Sequence, residues 1–303
     1  MKWEKIGQIF TIKNNNEYLV SHASNPLPIP LKGNIFRVFY SGRNKNNKSS
    51  VGFVDIDIID KKIINYPSTP LIKYGKPNSF YSHGISIGNL YEGLSKNKYI
   101  LFMAWQIQNN EHWRGDIGRL ELIGNDKLIL DPKKAFMSSD KVDPVSLSYP
   151  FVIFHDSIYK MWYGSTVNWS SKNGEMIHVI KYATSLDGEN WDKKGLAIPY
   201  DIGTAQAFSR PSVIIDEKGY HMWYSYRDGT EKKYRIGYSH SSNGINWTNK
   251  LDKVGIDVSN SGWDSEMLCY PFVFDHNGSR YMLYNGNDYG KTGFGYAVMR
   301  PKN

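Results

Sequence analysis

Short apolar runs rich in aromatic and β-branched residues recur along this chain, separated by polar segments. None of them carries a sustained apolar period of 3.6 residues, so the pattern predicts strands and few helices. One stretch shows the unit. Pro150–Phe154 reads as a first strand, His155-Asp156-Ser157 as a turn and Tyr159–Gly164 as a second strand. After a polar loop, His178–Ser185 reads as a third strand, Asp187-Gly188 as a turn, and Trp191 opens a fourth. Asp-Gly and Asn-Gly between strands are hairpin signals.

The unit repeats. Tyr149-Pro150-Phe151-Val152 returns as Arg210-Pro211-Ser212-Val213 and as Tyr270-Pro271-Phe272-Val273. The second strand is the clearer marker: Val38-Phe39-Tyr40, Leu101-Phe102-Met103, Met161-Trp162-Tyr163, Met222-Trp223-Tyr224 and Met282-Leu283-Tyr284. Its last residues are spaced by 63, 60, 61 and 60 positions. Five units of four strands predict an all-β fold, a five-bladed β-propeller of antiparallel blades forming a single domain over residues 1–303. The fifth unit ends with a third strand at Gly293–Met299. Trp3-Glu4-Lys5-Ile6-Gly7 resembles Trp191-Asp192-Lys193-Lys194-Gly195, the opening of a fourth strand. The N-terminal strand is therefore expected to complete the last blade and protect its edge.

Composition narrows the functional classes. Hydrophobic residues make up 40% of the 303 positions and charged residues 22%, enough apolar material for a packed core. One cysteine, Cys269, excludes an internal disulfide. No apolar signal run opens the chain and no stretch reaches membrane-spanning length, so a cytoplasmic protein without a membrane span is expected. The net charge of +8 comes from scattered lysines that form no stripe, so no nucleic-acid partner is expected.

Propeller geometry brings two sets of segments to one face: those preceding each first strand and those following each second strand. The first set holds His22, Asn25, His83, Asp143, Tyr149, Arg210, Glu266 and Tyr270. The second holds Arg43, Trp105, Glu111, Asp116, Trp169, Glu175, Arg227, Asp228 and Asn285. Aromatic rings with carboxylates and amides suit a sugar, whose apolar face stacks and whose hydroxyls need polar partners. Glu266 and Asp143 are the candidate catalytic carboxyls. His22 and His83, at matching positions of adjacent units, are candidate acid–base groups. No H-x-H or H-x-x-x-H spacing adds a third ligand, so no metal or cofactor is expected. Arg210 and Arg227 are candidates to hold a carboxylate or phosphate. Asp228, Trp105, Glu175, Tyr149, Tyr270 and Asn285 complete the candidate substrate contacts.

The S-x-[DN]-G-x-x-W phrase at Ser185–Trp191 and Ser241–Trp247 resembles the blade signature of five-bladed propeller glycoside hydrolases, among them invertases, levansucrases and arabinanases. The chain is more similar still to glycosidase-like propellers associated with bacterial surface-polysaccharide genes, through Ser21-His22-Ala23, Tyr234–Tyr238, Gly262–Glu266, Tyr284–Asn287 and Gly293–Tyr296. The resemblance implies carboxyl catalysis, with acids at the starts of blades one and two and a glutamate from a later blade. The chain departs from this: blade one starts with His22, Ala23, Ser24 and Asn25, and blade two with Ser82 and His83. Three functions remain open. The first is a glycosidase-like hydrolase acting on a polar or anionic sugar. The second is a transferase or other enzyme acting on a nucleotide sugar in surface-polysaccharide biosynthesis. The third is a non-catalytic propeller that binds glycan or protein.

Overall fold

The computed structural model describes residues 1–13, 16–107, 112–229 and 232–300. Among them the regular structure is β, apart from a short 3-10 turn at Leu251–Lys253 and a four-residue helical turn, α1, at Asn287–Gly290. The strands are β1 (Glu4–Phe10), β2 (Ser21–Lys32), β3 (Ile35–Arg43), β4 (Ser49–Asp57), β5 (Lys62–Asn65), β6 (Gly84–Glu92), β7 (Lys98–Ile107), β8 (Trp113–Ile123), β9 (Lys127–Leu130) and β10 (Ser146–His155). They continue with β11 (Ile158–Asn168), β12 (Ile177–Ser185), β13 (Asp192–Leu196), β14 (Ala207–Asp216), β15 (Gly219–Arg227), β16 (Arg235–Ser241), β17 (Thr248–Asn249), β18 (Cys269–His276), β19 (Ser279–Asn285) and β20 (Phe294–Met299).

Consecutive strands pair antiparallel in sets: β2–β5, β6–β9, β10–β13 and β14–β17. Single parallel bridges, Ser49 to Gly84 and His178 to Ala207, join the first two sets and the next two. The last sheet has the order β1-β20-β19-β18, so the N-terminal strand pairs with the C-terminal one, Glu4 opposite Val298 through Phe10 opposite Phe294. The first strands β2, β6, β10, β14 and β18 each pack on the next, and β18 packs on β2.

The aromatic second strands are apolar on both faces because both are covered. Successive residues of a strand point to opposite sides. Tyr40 joins Phe10 and Phe294 in one core layer, whereas Phe39 joins Phe53, Ile87 and Phe102 in the next. Leu101 and Tyr163 share a third layer, Trp162 and Tyr224 a fourth, and Trp223 and Tyr284 a fifth. The core therefore lies between sets rather than at one centre.

Local chemistry makes the turns. His155 pairs with Ile158 across a two-residue turn in which Asp156 and Ser157 have φ of 55° and 61°, the hairpin geometry that matches strand twist. In the S-x-[DN]-G-x-x-W phrase the Ser185 hydroxyl accepts from the Gly188 amide at 2.8 Å, and Asp187 Oδ1 accepts from the Glu189 and Asn190 amides. Ser241 and Asn243 repeat this arrangement. The glycine is required there, since Gly188 and Gly244 both have φ of 75°.

A second device recurs on the first strands. Asn25, Tyr149, Arg210 and Tyr270 each precede a proline and have φ of 58°, 35°, 49° and 55°. The ladder register shifts at each of these sites. Proline has no N–H to donate, and a bulge leaves that position unpaired. Left-handed backbone at a non-glycine residue costs on the order of 1–3 kcal/mol, and the surrounding ring offsets it. Side chains stitch neighbouring sets across the bulges. Ser41 Oγ accepts from the Ile87 amide, Asn89 Oδ1 from Val152, Ser212 Oγ from Val273, and Asn285 Oδ1 from Asn25.

Candidate functional site

A cavity of about 490 Å³ opens where the starts of the first strands meet the ends of the second strands. Its walls differ around the ring. Trp105, His112, Trp113 and Trp169 form one aromatic wall. His112 stacks on Trp169 with centroids 4.7 Å apart, and Trp113 meets Trp169 edge-on. Trp105 is fixed by its indole N–H, which donates to Ser49 Oγ at 2.9 Å. A second aromatic wall is Tyr149, Tyr234, Tyr270 and Tyr289. The bulges at Tyr149 and Tyr270 bring their hydroxyls within 3.5 Å of each other, and the tight turn of α1 delivers Tyr289 to the same wall.

Glu175 is the one carboxylate lining the cavity among the described residues. Its loop between β11 and β12 is shaped by Gln206, which is fully buried. The Gln206 Nε2 donates to Ser171 Oγ, Asn173 Oδ1 and the Glu175 carbonyl, and its Oε1 accepts from the Asn173 side chain. Glu175 Oε1 accepts from Arg227 Nη2 at 3.0 Å and from the Met176 amide at 2.9 Å. Its Oε2 has no protein partner among the described residues. Arg227 lies over the Tyr234 ring, 4.8 Å from its centroid, and contacts the Tyr289 hydroxyl at 3.4 Å. Beside this pair, His178 has both ring nitrogens occupied, by Ser148 Oγ at 2.6 Å and Thr166 Oγ1 at 2.8 Å. Burial and the Arg227 charge push His178 down to about 3, so it is neutral near pH 7.

Of the residues singled out from sequence, Asn25, Arg43, Trp105, Tyr149, Trp169, Glu175, Arg227 and Tyr270 line this cavity, and the others do not. Asp143 is fully buried. Its carboxylate takes hydrogen bonds from Tyr163 at 2.9 Å and Ser165 at 2.6 Å and ion pairs with Lys181 and Lys193, both at 2.7 Å. Burial works against its charge, but the two ammonium groups and the hydroxyl outweigh it and hold the carboxyl below its usual range. Glu266 is exposed and meets the protein only through its backbone, with its amide donating to Asn287 and its carbonyl accepting from Arg235. Asp228 is exposed. Asp116 is buried beside Arg114 at 3.6 Å. Glu111 lies outside the described residues.

The remaining polar candidates act as ties. Arg210 is 2% exposed. It donates to the Tyr270 carbonyl at 2.7 Å and to the Pro26 carbonyl at 2.9 Å, joining three sets, with no acidic partner among the described residues. Burial lowers its pKa to about 9, which still leaves it charged at neutral pH. Asn285 accepts from the Asn25 amide and donates to the Ala23 and Gly293 carbonyls. His22 has φ of 62° and contacts Ser21 Oγ. Burial, with Arg43 and Lys291 adding to it, lowers its pKa to about 3, so it carries no charge near neutrality. His83 stands against Trp105 and accepts from the Ile107 amide at Nδ1. Among the described residues no group of three or more His, Cys, Asp or Glu side chains is placed to hold a metal ion, and no helix is long and apolar enough to cross a membrane.

Sequence reasoning passed over His178, Tyr234, Tyr289, Met176 and Gln206. Tyr234 and Tyr289 stand in loops that do not align between units, so the repeat carried no signal for them. Asn25, placed on this face from sequence, lies at a fourth copy of the bulged X-Pro step.

No family model matches the chain. Two uncharacterized proteins of Mycobacterium tuberculosis, from strains CDC 1551 / Oshkosh and ATCC 25618 / H37Rv, are each 38% identical to it over 303 residues, covering 99% of both chains. Among solved structures, a glycosyl hydrolase from Bacteroides ovatus superposes with a TM-score of 0.74 at 13% identity, covering 99% of this chain and 94% of that one. The β-1,2-mannobiose phosphorylase from Listeria innocua, in complex with β-1,2-mannobiose, gives 0.72 at 11% identity over 99% and 97%. A GH32 β-fructofuranosidase from Bombyx mori gives 0.63 at 12% identity over 95% and 62%. At these identities the likeness shows a shared β-propeller fold alone.

Proposed function

The chain belongs to one family with these two mycobacterial proteins, and we propose that it is a carbohydrate-active enzyme that cleaves a glycosidic bond in the aromatic cavity. The observation that carries this is the Glu175–Arg227 pair, which sets a single oriented carboxylate between two aromatic walls. The walls stack the apolar faces of sugar rings, as such side chains do in carbohydrate sites. Serines that line the cavity read hydroxyls. Glu175 Oε2 takes a proton from the incoming water, whose oxygen bonds the anomeric carbon, and passes it to the glycosidic oxygen as that C–O bond breaks. The neighbouring folds, a glycosyl hydrolase and a disaccharide phosphorylase among them, support this reading. The scaffold is read as one domain over residues 1–303, a ring of five blades closed by β1.

Arg43, a cavity-lining cation without an acidic partner among the described residues, favours a second reading, an enzyme acting on a nucleotide-linked sugar. One experiment addresses both: turnover of a panel of aryl glycosides, disaccharides and nucleotide sugars by the intact chain and by Glu175→Gln. Loss of turnover in the variant with binding retained supports the role of Glu175. Equal turnover in both proteins removes it.

A further inference from the structure

The side of the cavity built by β2 and β3 contains two polar groups that no described residue satisfies. Arg43 lines the cavity at the end of β3, and among the described residues its guanidinium makes no ion pair and no side-chain hydrogen bond. Asn25 also lines the cavity. It is 1% exposed, and its Nδ2 is a buried donor without an acceptor among the described residues. Its backbone is held in place by the Asn285 side chain and by the bulge, so the free amide is a fixed feature of the wall. The two residues stand on neighbouring strands, where Ser21 pairs with Arg43 and Ser24 with Ser41.

Both groups are donors, and one kind of partner satisfies both. A guanidinium presents a planar fork that fits a carboxylate or phosphate, and an amide N–H adds a third donor. The surroundings do not supply that anion. The lining carboxylate, Glu175, is already held by Arg227. Arg210 brings another cation close by, bonded to the carbonyl of Pro26, the residue after Asn25. The cavity thus carries a surplus of positive charge concentrated on this side.

We propose that Arg43 and Asn25 form an oxyanion subsite that holds a carboxylate or phosphate group carried by the sugar ligand. The proposal rests on the reading that the cavity binds a sugar, and it adds the class of that sugar. Isothermal titration of the intact chain with glucuronate, glucose 6-phosphate, glucose and inorganic phosphate tests it. A charged sugar is expected to bind at least about ten-fold more tightly than glucose. Arg43→Gln is expected to weaken the charged sugars by about ten- to a hundred-fold and to leave glucose unchanged. Asn25→Asp keeps a residue type that tolerates this backbone, sets a carboxylate beside Arg43, and is expected to remove the preference. Thermal melting checks that each variant folds, and the more exposed Arg43→Gln decides the matter if Asn25→Asp does not. Equal affinity for glucose and the charged sugars overturns the proposal, as does an unchanged preference in Arg43→Gln. Binding of inorganic phosphate without binding of either charged sugar also overturns it, because the anion would then be a free one. These are equilibrium readings. Turnover that survives Glu175→Gln sinks the catalytic reading and leaves the subsite standing, whereas a lost charge preference with Glu175-dependent turnover sinks the subsite alone.

Discussion

Asp143 and Glu175 are both buried acids on one side of the same ring, yet their surroundings give them opposite characters. Asp143 is surrounded by donors, with Tyr163, Ser165, Lys181 and Lys193 together occupying both of its oxygens. No part of it is left for a ligand. Glu175, which lines the cavity, is gripped at one oxygen by Arg227 and the Met176 amide, and its other oxygen has no partner among the described residues. The difference shows that burial of an acid does not mark chemistry by itself. What matters is whether any lone pair remains after the protein has taken its share.

The sharpest way to break this comparison is to remove each charge while keeping the shape. Glu175→Gln is expected to lower turnover by about 10²–10⁴-fold, the range for a lost proton-transferring group, with ligand binding largely retained. Steady-state kinetics with parallel titration reads both. Asp143→Asn is expected to behave in the reverse way. It leaves two lysines facing a neutral group in a buried site, at a cost of about 3–5 kcal/mol of stability, while the folded molecules stay active. Chemical denaturation together with specific activity separates these effects. Activity lost from Asp143→Asn at unchanged stability would erase the distinction drawn here.

Acid pH sharpens it further. His22 and His178, both lowered to about 3, are neutral in the folded protein, whereas the unfolded chain protonates them below about 6.5. The stability tied to them is fully present above that pH and falls as the pH drops toward 3. Asp143, held below its usual range, adds stability that is present above about 3.9 and lost as the pH falls through its folded value. Stability is therefore expected to decline steadily from pH 7 to pH 4, and His178→Asn is expected to flatten that slope in urea titrations. A flat wild-type profile over this range would count against neutral buried histidines. The smallest effect belongs to Glu266. Exposed and bound only through its backbone, it should tolerate Glu266→Gln within about 0.5 kcal/mol and with unchanged turnover.

The sequence by itself determined the strands, their turns and the partner of the N-terminal segment. These follow from local rules: period-two alternation, the left-handed backbone that Asp-Gly and Asn-Gly permit, and a second strand apolar on both faces because it packs between neighbours. Even the character of Asp143 left a local trace. It precedes Tyr163 by 20 positions, and Asp264 precedes Tyr284 by the same 20, bonding its hydroxyl as Asp143 bonds that of Tyr163. Only the tertiary structure decided which polar side chains reach the cavity. Tyr149 and Tyr270 reach it at bulged X-Pro steps, while Arg210, at the same step, is spent on two neighbouring carbonyls. Asn25, the fourth such residue, lines the cavity, and its buried Nδ2 has no acceptor among the described residues. The physical reason is that a repeat fixes backbone path, whereas the use of a side chain depends on donors and acceptors that arrive from other strands of the ring. Arg227 reaches Glu175 from the next set, through β15, whereas Lys181 and Lys193 reach Asp143 from β12 and β13 of the set it leads into.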